Sequence, residues 1–253
     1  MIASTPRAVS AIQGEGSPNE FHHRSVAALH AAEVPFLIGG AYMVEVWGGS
    51  RSTKDFDLYV RPNHVKVALC ALARPGYKTE LTFPHWLAKP TYEGDILDLI
   101  FRAGNGLCEV DDSWFDRACD DEQLGVPVKL CGPEEMIWMK AYIMERERFD
   151  GADIAHILLC CAAEIDWRHL VRRFGPDWRV LLSHLILFGN IYPGECMRIP
   201  DAIVENLITR LRSEAKTAGP ERLCPARCFR GSNIWWTYKS GDFEMHVWKG
   251  VFR

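Results

Sequence analysis

The run Asp55-Phe56-Asp57-Leu58-Tyr59-Val60 constrains this chain more than any other stretch. Side chains alternate across a β-strand, so Asp55 and Asp57 share one face while Phe56 and Leu58 share the other. The apolar pair belongs in a core. The acidic pair stands about 7 Å apart along the strand and repels itself unless a cation lies between. Oxygen donors of this kind suit a hard divalent ion such as Mg²⁺. The run therefore predicts a strand with one face in the core and a metal on the other.

Upstream, Phe36-Leu37-Ile38 predicts a short buried strand halted by Gly39-Gly40, and 41–47 returns to helix. Without Cβ atoms the two glycines let the backbone approach a phosphate closely. The helix N-terminus that follows offers N–H groups and a favourable dipole. A third acid is expected on a neighbouring strand. Asp98 fits, within Ile96-Leu97-Asp98-Leu99-Ile100-Phe101, because a carboxylate among apolar strand residues is costly unless paired or metal-bound. Asp95 follows Gly94 at the strand edge and fits less well. A lone Asp-x-Asp is usually solvated on a loop; the ordered combination with Gly39, Gly40 and Asp98 favours a site.

Apolar periodicity and Pro/Gly punctuation place the remaining elements. Helices are expected at 21–33 and 65–73, and strands at 77–83, 95–102 and 126–130, with a loop-rich stretch over 104–126. From Pro133 the chain turns helical, over 134–147, 153–163, 166–173, 178–188 and 202–215. The expected fold class is α/β (α+β), a mixed-sheet core followed by a helical C-terminal domain. Its divisions are a loose arm at 1–20, the core at 21–132, the helical domain at 133–218, and an aromatic and basic segment at 219–253. That last segment suits a hairpin, 233–238 with 243–248, packing on the core better than it suits a stacking surface for nucleic acid.

Composition narrows the classes. Of 253 residues, 48% are hydrophobic and 25% charged, which excludes a disordered, collagen-like or rod-like chain. A net charge of -4 argues against a salt-driven nucleic-acid binder. No apolar run approaches the roughly 20 residues of a membrane span, and the first residues lack a secretory signal. With an odd nine cysteines, a cytoplasmic chain with reduced thiols is expected. Cys224 and Cys228 lack a second pair that would make a zinc site, so the thiols read as small apolar residues.

The pattern Gly39-Gly40, then Asp55-x-Asp57, then Asp98 resembles the nucleotidyltransferase superfamily of DNA polymerase β type. The resemblance covers about 21–130. It implies a mixed-sheet core, two Mg²⁺ ions (or Mn²⁺) held by Asp55, Asp57 and Asp98, and transfer of a nucleoside monophosphate from an NTP such as ATP. The second glycine position is often Ser in that superfamily. Gly40 looks like the Gly-Gly branch, which includes tRNA-end-adding enzymes and abortive-infection toxins, and leaves the acceptor open.

The segment Lys140-Ala-Tyr-Ile-Met-Glu-Arg146-Glu-Arg148-Phe-Asp150-Gly-Ala-Asp153 resembles the helical motif of the prokaryotic abortive-infection-type branch. Lys140, Met144 and Glu147 would share a helical face, and Lys140 could reach an NTP phosphate as a point charge. Arg146, Arg148 and Asp150 suit a surface salt-bridge network equally well. Asp153 reads as a helix N-cap or as a catalytic helper. Arg51, Thr53 and Lys54 could meet the triphosphate or balance the acids. His85-Trp86 could serve base stacking or the acceptor, and His156 reads as a buried, satisfied histidine.

The expectation is an Mg²⁺-dependent nucleotidyltransferase acting on a hydroxyl of a small molecule (an aminoglycoside-like antibiotic, for instance), a tRNA end or a protein, with an antitoxin-like protein as a conceivable partner and no membrane. The alternatives are a catalytically inactive module of the same fold that binds a nucleotide or partner, and a metal-dependent phosphohydrolase.

Overall fold

The computed structural model describes residues 18–40, 43, 56–123, 126–144, 148–216, 234–239 and 242–247. In chain order the elements begin α1 (Pro18–Ala31), β1 (Leu37–Ile38), β2 (Phe56–Tyr59), α2 (Val65–Ala73), β3 (Leu87–Ala88), β4 (Thr91–Tyr92) and β5 (Asp95–Ile100). Then come α3 (Asp112–Asp116), β6 (Cys119–Gln123), β7 (Val126–Leu130), α4 (Pro133–Lys140), α5 (Gly151–Cys161), α6 (Trp167–Phe174), α7 (Trp178–Ile191) and α8 (Asp201–Lys216). A hairpin closes the series, β8 (Ile234–Lys239) antiparallel to β9 (Asp242–Val247), displaced by one residue at each end from the expected one. Its expected turn lies outside the described residues, as do Cys224 and Cys228.

The sheet is mixed, in the order β3-β5-β2-β1-β7-β6, with β4 extending along β5. β2 runs antiparallel to β1 and parallel to β5, and β1 runs parallel to β7. Strand alternation sorts the two faces. Phe56 and Leu58 of β2, with Leu97 and Leu99 of β5, pack on one face under α1 and α2. α2 answers with Val65, Ala68, Ala71 and Leu72, one stripe at helical spacing.

The opposite face meets the helical half. Leu37, Tyr59 and Ile100 belong to the same apolar cluster as Met139, Ile154, Leu158 and Leu181. The α7 contribution is again periodic: Trp178, Leu181, Leu182, Leu185 and Phe188 are buried. The fold is thus a mixed sheet with helices, followed by a helical C-terminal part. Among the described residues no helix is long and apolar enough to cross a membrane.

Four expectations need correction. The run 77–83 is not a strand; it meets the sheet through the isolated bridges Lys78–Thr91 and Phe83–Leu87 and a Tyr77–Tyr92 ring contact. The edge of β5 is already taken by β3 and β4, so no partner remains for it. The stretch 104–126 is not simply loop. Asp111 caps α3 by accepting from the Ser113 backbone N–H at 3.0 Å, and β6 pairs along β7. The helix expected over 134–147 stops at Lys140, and Met144 bridges Phe149, so Lys140 and Met144 share no helical face. Asp153 is not an N-cap: it lies in the first turn of α5, buried, against Lys140. The helix expected at 41–47 lies outside the described residues except for residue 43.

Candidate active site

β2 and β5 are parallel and in register, and Asp57 stands opposite Asp98. Register partners in adjacent strands are about 4.8 Å apart and project to the same side. Here that side is the one facing the helices. Two acids distant in sequence are therefore neighbours because strand pairing puts them there.

Gly40 completes the corner. It has φ +67, and a Cβ built on it would fall 1.7 Å from Asp57 Oδ2. Only a residue without a side chain allows the backbone to pass so close to that carboxylate. The Gly39 N–H donates to the Asp57 backbone carbonyl at 3.1 Å, and a Cβ on Gly39 would fall 2.5 Å from the Tyr59 ring. Both glycines are thus required by close approach to β2.

Gly40, Asp57 and Asp98 open onto a cavity of about 100 Å³ between the sheet and the helical half. Its apolar wall includes Tyr59, Trp86, Ile100 and Met139, and its charged wall includes Arg102, Lys140, Arg148 and Asp150. Tyr59 lies two residues beyond Asp57 on the same strand face. Burial first, then the nearby Asp57, push its phenol well above the usual range, so it stays protonated. Trp86 stacks on Phe83 with ring centroids 5.4 Å apart.

Asp98 accepts a hydrogen bond from Lys89 Nζ at 2.7 Å. Across the cavity a buried chain of alternating charge runs from α5 to the loop before it. Lys140 Nζ lies 2.7 Å from Asp153 Oδ2 and 3.1 Å from Asp150 Oδ2. Asp150 is gripped in turn by Arg148 through Nε at 3.1 Å and Nη2 at 3.2 Å. Burial works against the Asp150 carboxylate, but the charge of Lys140 and the bonds from Arg148 outweigh it and hold its pKa below the ordinary value. Asp150 is thus no surface residue: its side chain is 5% exposed.

Of the residues read from the sequence, Gly40, Asp57, Asp98 and Lys140 meet at one cavity, with Gly39 beside it. Asp55, Arg51, Thr53, Lys54 and Arg146 lie outside the described residues. Among the described residues no three His, Cys, Asp or Glu converge as a metal cluster. Trp86 lines the cavity, and His156 is half-buried with Nδ1 3.3 Å from the Tyr192 hydroxyl. Tyr59, Arg102 and Tyr142 were not anticipated. The two-residue step from Asp57 could have found Tyr59; nothing local marks the others.

The donor set suits a hard divalent ion. Asp57 and Asp98 offer paired carboxylates in register, and the missing Cβ of Gly40 makes room for one of them.

No family model matches the chain, and no curated protein matches it. Among solved structures it is similar to the antibiotic-resistance factor ANT(2'')-Ia, at 18% identity and TM-score 0.47 over 66% of this chain and 95% of that one. It is similar to the lincosamide antibiotic adenylyltransferase LnuA, at 16% identity and TM-score 0.39 over 55% and 94%. A third likeness is to an antigenic nucleotidyltransferase-like protein from Paracoccidioides brasiliensis, at 17% identity and TM-score 0.45 over 73% and 92%.

Proposed function

We propose that the chain is a nucleotidyltransferase that moves a nucleoside monophosphate from an NTP to a hydroxyl acceptor. The observation that carries this reading is the register of Asp57 on Asp98, with Gly40 folded against the Asp57 carboxylate at the edge of a cavity. The sequence order Gly39-Gly40, Asp55-x-Asp57, Asp98 supports it independently.

Asp57 and Asp98, joined by Asp55, would hold Mg²⁺ or Mn²⁺. When bound, the ions neutralise phosphate charge and favour ionisation of the attacking hydroxyl. The chain's own part is positioning and charge compensation. Gly40 lets the backbone approach a phosphate. Arg51, Thr53 and Lys54 precede the acids in the sequence and would meet the triphosphate or balance the carboxylates. Lys140 stands in the opposite wall with its charge shared between two carboxylates. The acceptor oxygen, its proton passing to Asp98, would attack the α-phosphorus as the bond to the bridging oxygen breaks and pyrophosphate leaves. The apolar wall of Tyr59, Trp86 and Ile100 keeps water from competing with the acceptor. The acceptor is a small molecule, a tRNA end or a protein side chain.

One observation favours a second reading, that of an inactive nucleotide-binding module: the Lys89 ammonium already neutralises Asp98. A single experiment separates the two. The protein is incubated with each labelled NTP, Mg²⁺, and pools of tRNA, hydroxylated antibiotics and cell proteins. Label transferred by wild type and not by Asp57→Asn supports transfer. NTP bound without transfer supports the module, and phosphate released without a labelled product points to hydrolysis.

A further inference from the structure

The cations of the cavity wall are not equivalent. Lys140 is nearly buried, with its side chain 6% exposed, and its ammonium is held between Asp150 and Asp153. Turning it towards a ligand would leave two buried carboxylates without their shared counter-charge. Arg102 is paired with Glu109. Arg148 is more exposed than either, and its carboxylate partner, unlike the half-exposed Glu109, is itself buried and braced. The arginine side chain is 58% exposed, and Asp150 grips only the Nε and Nη2 edge of the guanidinium. A guanidinium carries five N–H donors in a rigid fork, of which such a grip uses two.

Asp150 therefore does for Arg148 what a supporting carboxylate does for any arginine meant to meet an anion. It fixes the plane and leaves the remaining donors pointing away from itself. Asp150 is held by Lys140, and Lys140 by Asp153, so the arginine stands at the end of a braced row of alternating charge. The row begins in the first turn of α5 and ends at the cavity that Asp57 also lines. The charge of Asp57 acts on Arg148 across that space. An anion placed there would lie between Arg148 and whatever cations Asp57 and Asp98 hold, since the bare carboxylates would repel it.

We propose that Arg148 is the side chain of the helical half that binds the triphosphate of the nucleotide, with Asp150 as its positioning residue and Lys140 as a brace. This rests on the nucleotidyltransferase reading and names the residue that holds its substrate. Arg148 contacts non-bridging phosphate oxygens by two parallel N–H···O bonds, a geometry that lysine cannot supply. The preference is for triphosphate over monophosphate.

Equilibrium binding of the four NTPs and the four nucleoside monophosphates tests this, with Mg²⁺ present, on wild type, Arg148→Lys, Arg148→Gln, Asp150→Asn and the double variant. The expected result is that Arg148→Gln weakens the preferred NTP by about tenfold or more, a charged hydrogen bond's worth, and leaves the monophosphate unchanged. Arg148→Lys should recover only part of the loss. Asp150→Asn should weaken the same NTP, and adding Arg148→Gln to it should produce little further loss, a coupling that a merely structural role would not show. Asp150 keeps Lys140 as a counter-charge when Arg148 is lost, so the Arg148 variants should stay folded with a modestly lowered melting temperature, and binding is compared below it. An Arg148→Gln protein that binds the NTP as wild type does overturns the assignment and spares the wider reading. A wild type that binds none of the four NTPs overturns both.

Discussion

A methyl group on Gly40 would fall 1.7 Å from Asp57 Oδ2. The glycine and the aspartate are therefore one unit: the backbone at Gly40 sits where a side chain would have to displace the carboxylate. Gly40→Ala also forces a non-glycine residue to φ +67, at about 1–2 kcal/mol. We expect the variant to fold with a lowered melting temperature and to lose label transfer by about a hundredfold or more, the loss typical of a displaced charge-stabilising group. Gly94→Ala is the control. Its φ is +98 and nothing lies within 4 Å of the added carbon, so it should lower the melting temperature and leave transfer intact.

How far this site was legible in the sequence follows from which forces are local. Val65–Ala73 and Val126–Leu130 declare themselves by apolar spacing, and both appear at their expected bounds. Asp57 and Asp98 were legible because a carboxylate in an apolar strand demands a partner. Their register supplies the neighbour and Lys89 the counter-charge. What failed depended on distant contacts. Nothing in 77–83 says that the edge of β5 is already covered. Nothing in 134–147 says that Lys140 will be captured by Asp150 and Asp153, so that the helix ends there. Arg148 looks like any surface arginine until the fold buries its partner Asp150.

His22 stacks on Phe56, with ring centroids 4.0 Å apart at 19°. Burial lowers its pKa from 6.5 to about 4, with Asp95 pulling weakly the other way. The folded protein thus holds His22 neutral where the unfolded chain would protonate it. Its contribution is complete above pH 6.5 and is withdrawn as pH falls towards 4. The fall from 6.5 to about 4 corresponds to at most about 3 kcal/mol. Urea unfolding at a series of pH values should show the loss, and His22→Phe, which keeps the stack and cannot titrate, should flatten that part of the curve.

Glu135 joins three elements. Its side chain is fully buried, accepts from Arg173 Nε at 2.9 Å, and lies 2.7 Å from His169 Nε2. Arg173 also donates to Asp111, at 2.6 and 2.8 Å, tying the cap of α3 to α6. Glu135→Ala removes one of the two carboxylates of Arg173 and the partner of His169, and should destabilise by about 1.5–3 kcal/mol. Denaturant titration reads this directly. A shift below about 1 kcal/mol would mean that Asp111 alone satisfies Arg173.

Lys89 is the cation that a metal ion at Asp98 would have to displace. Its Nζ is 2.7 Å from Asp98 Oδ1, and the two side chains are 35% and 25% exposed. A half-exposed pair of this kind is worth about 0–1 kcal/mol, so a divalent ion can displace the ammonium. Lys89→Gln removes the competing charge while keeping most of the side chain. Free Mn²⁺, measured by electron paramagnetic resonance, should show binding tightened by up to about fivefold, the equivalent of 1 kcal/mol. Transfer should persist in the variant and saturate at lower metal. If Lys89 is instead the permanent counter-ion of an inactive module, wild type should bind no Mn²⁺, Lys89→Gln should gain binding, and neither should transfer label.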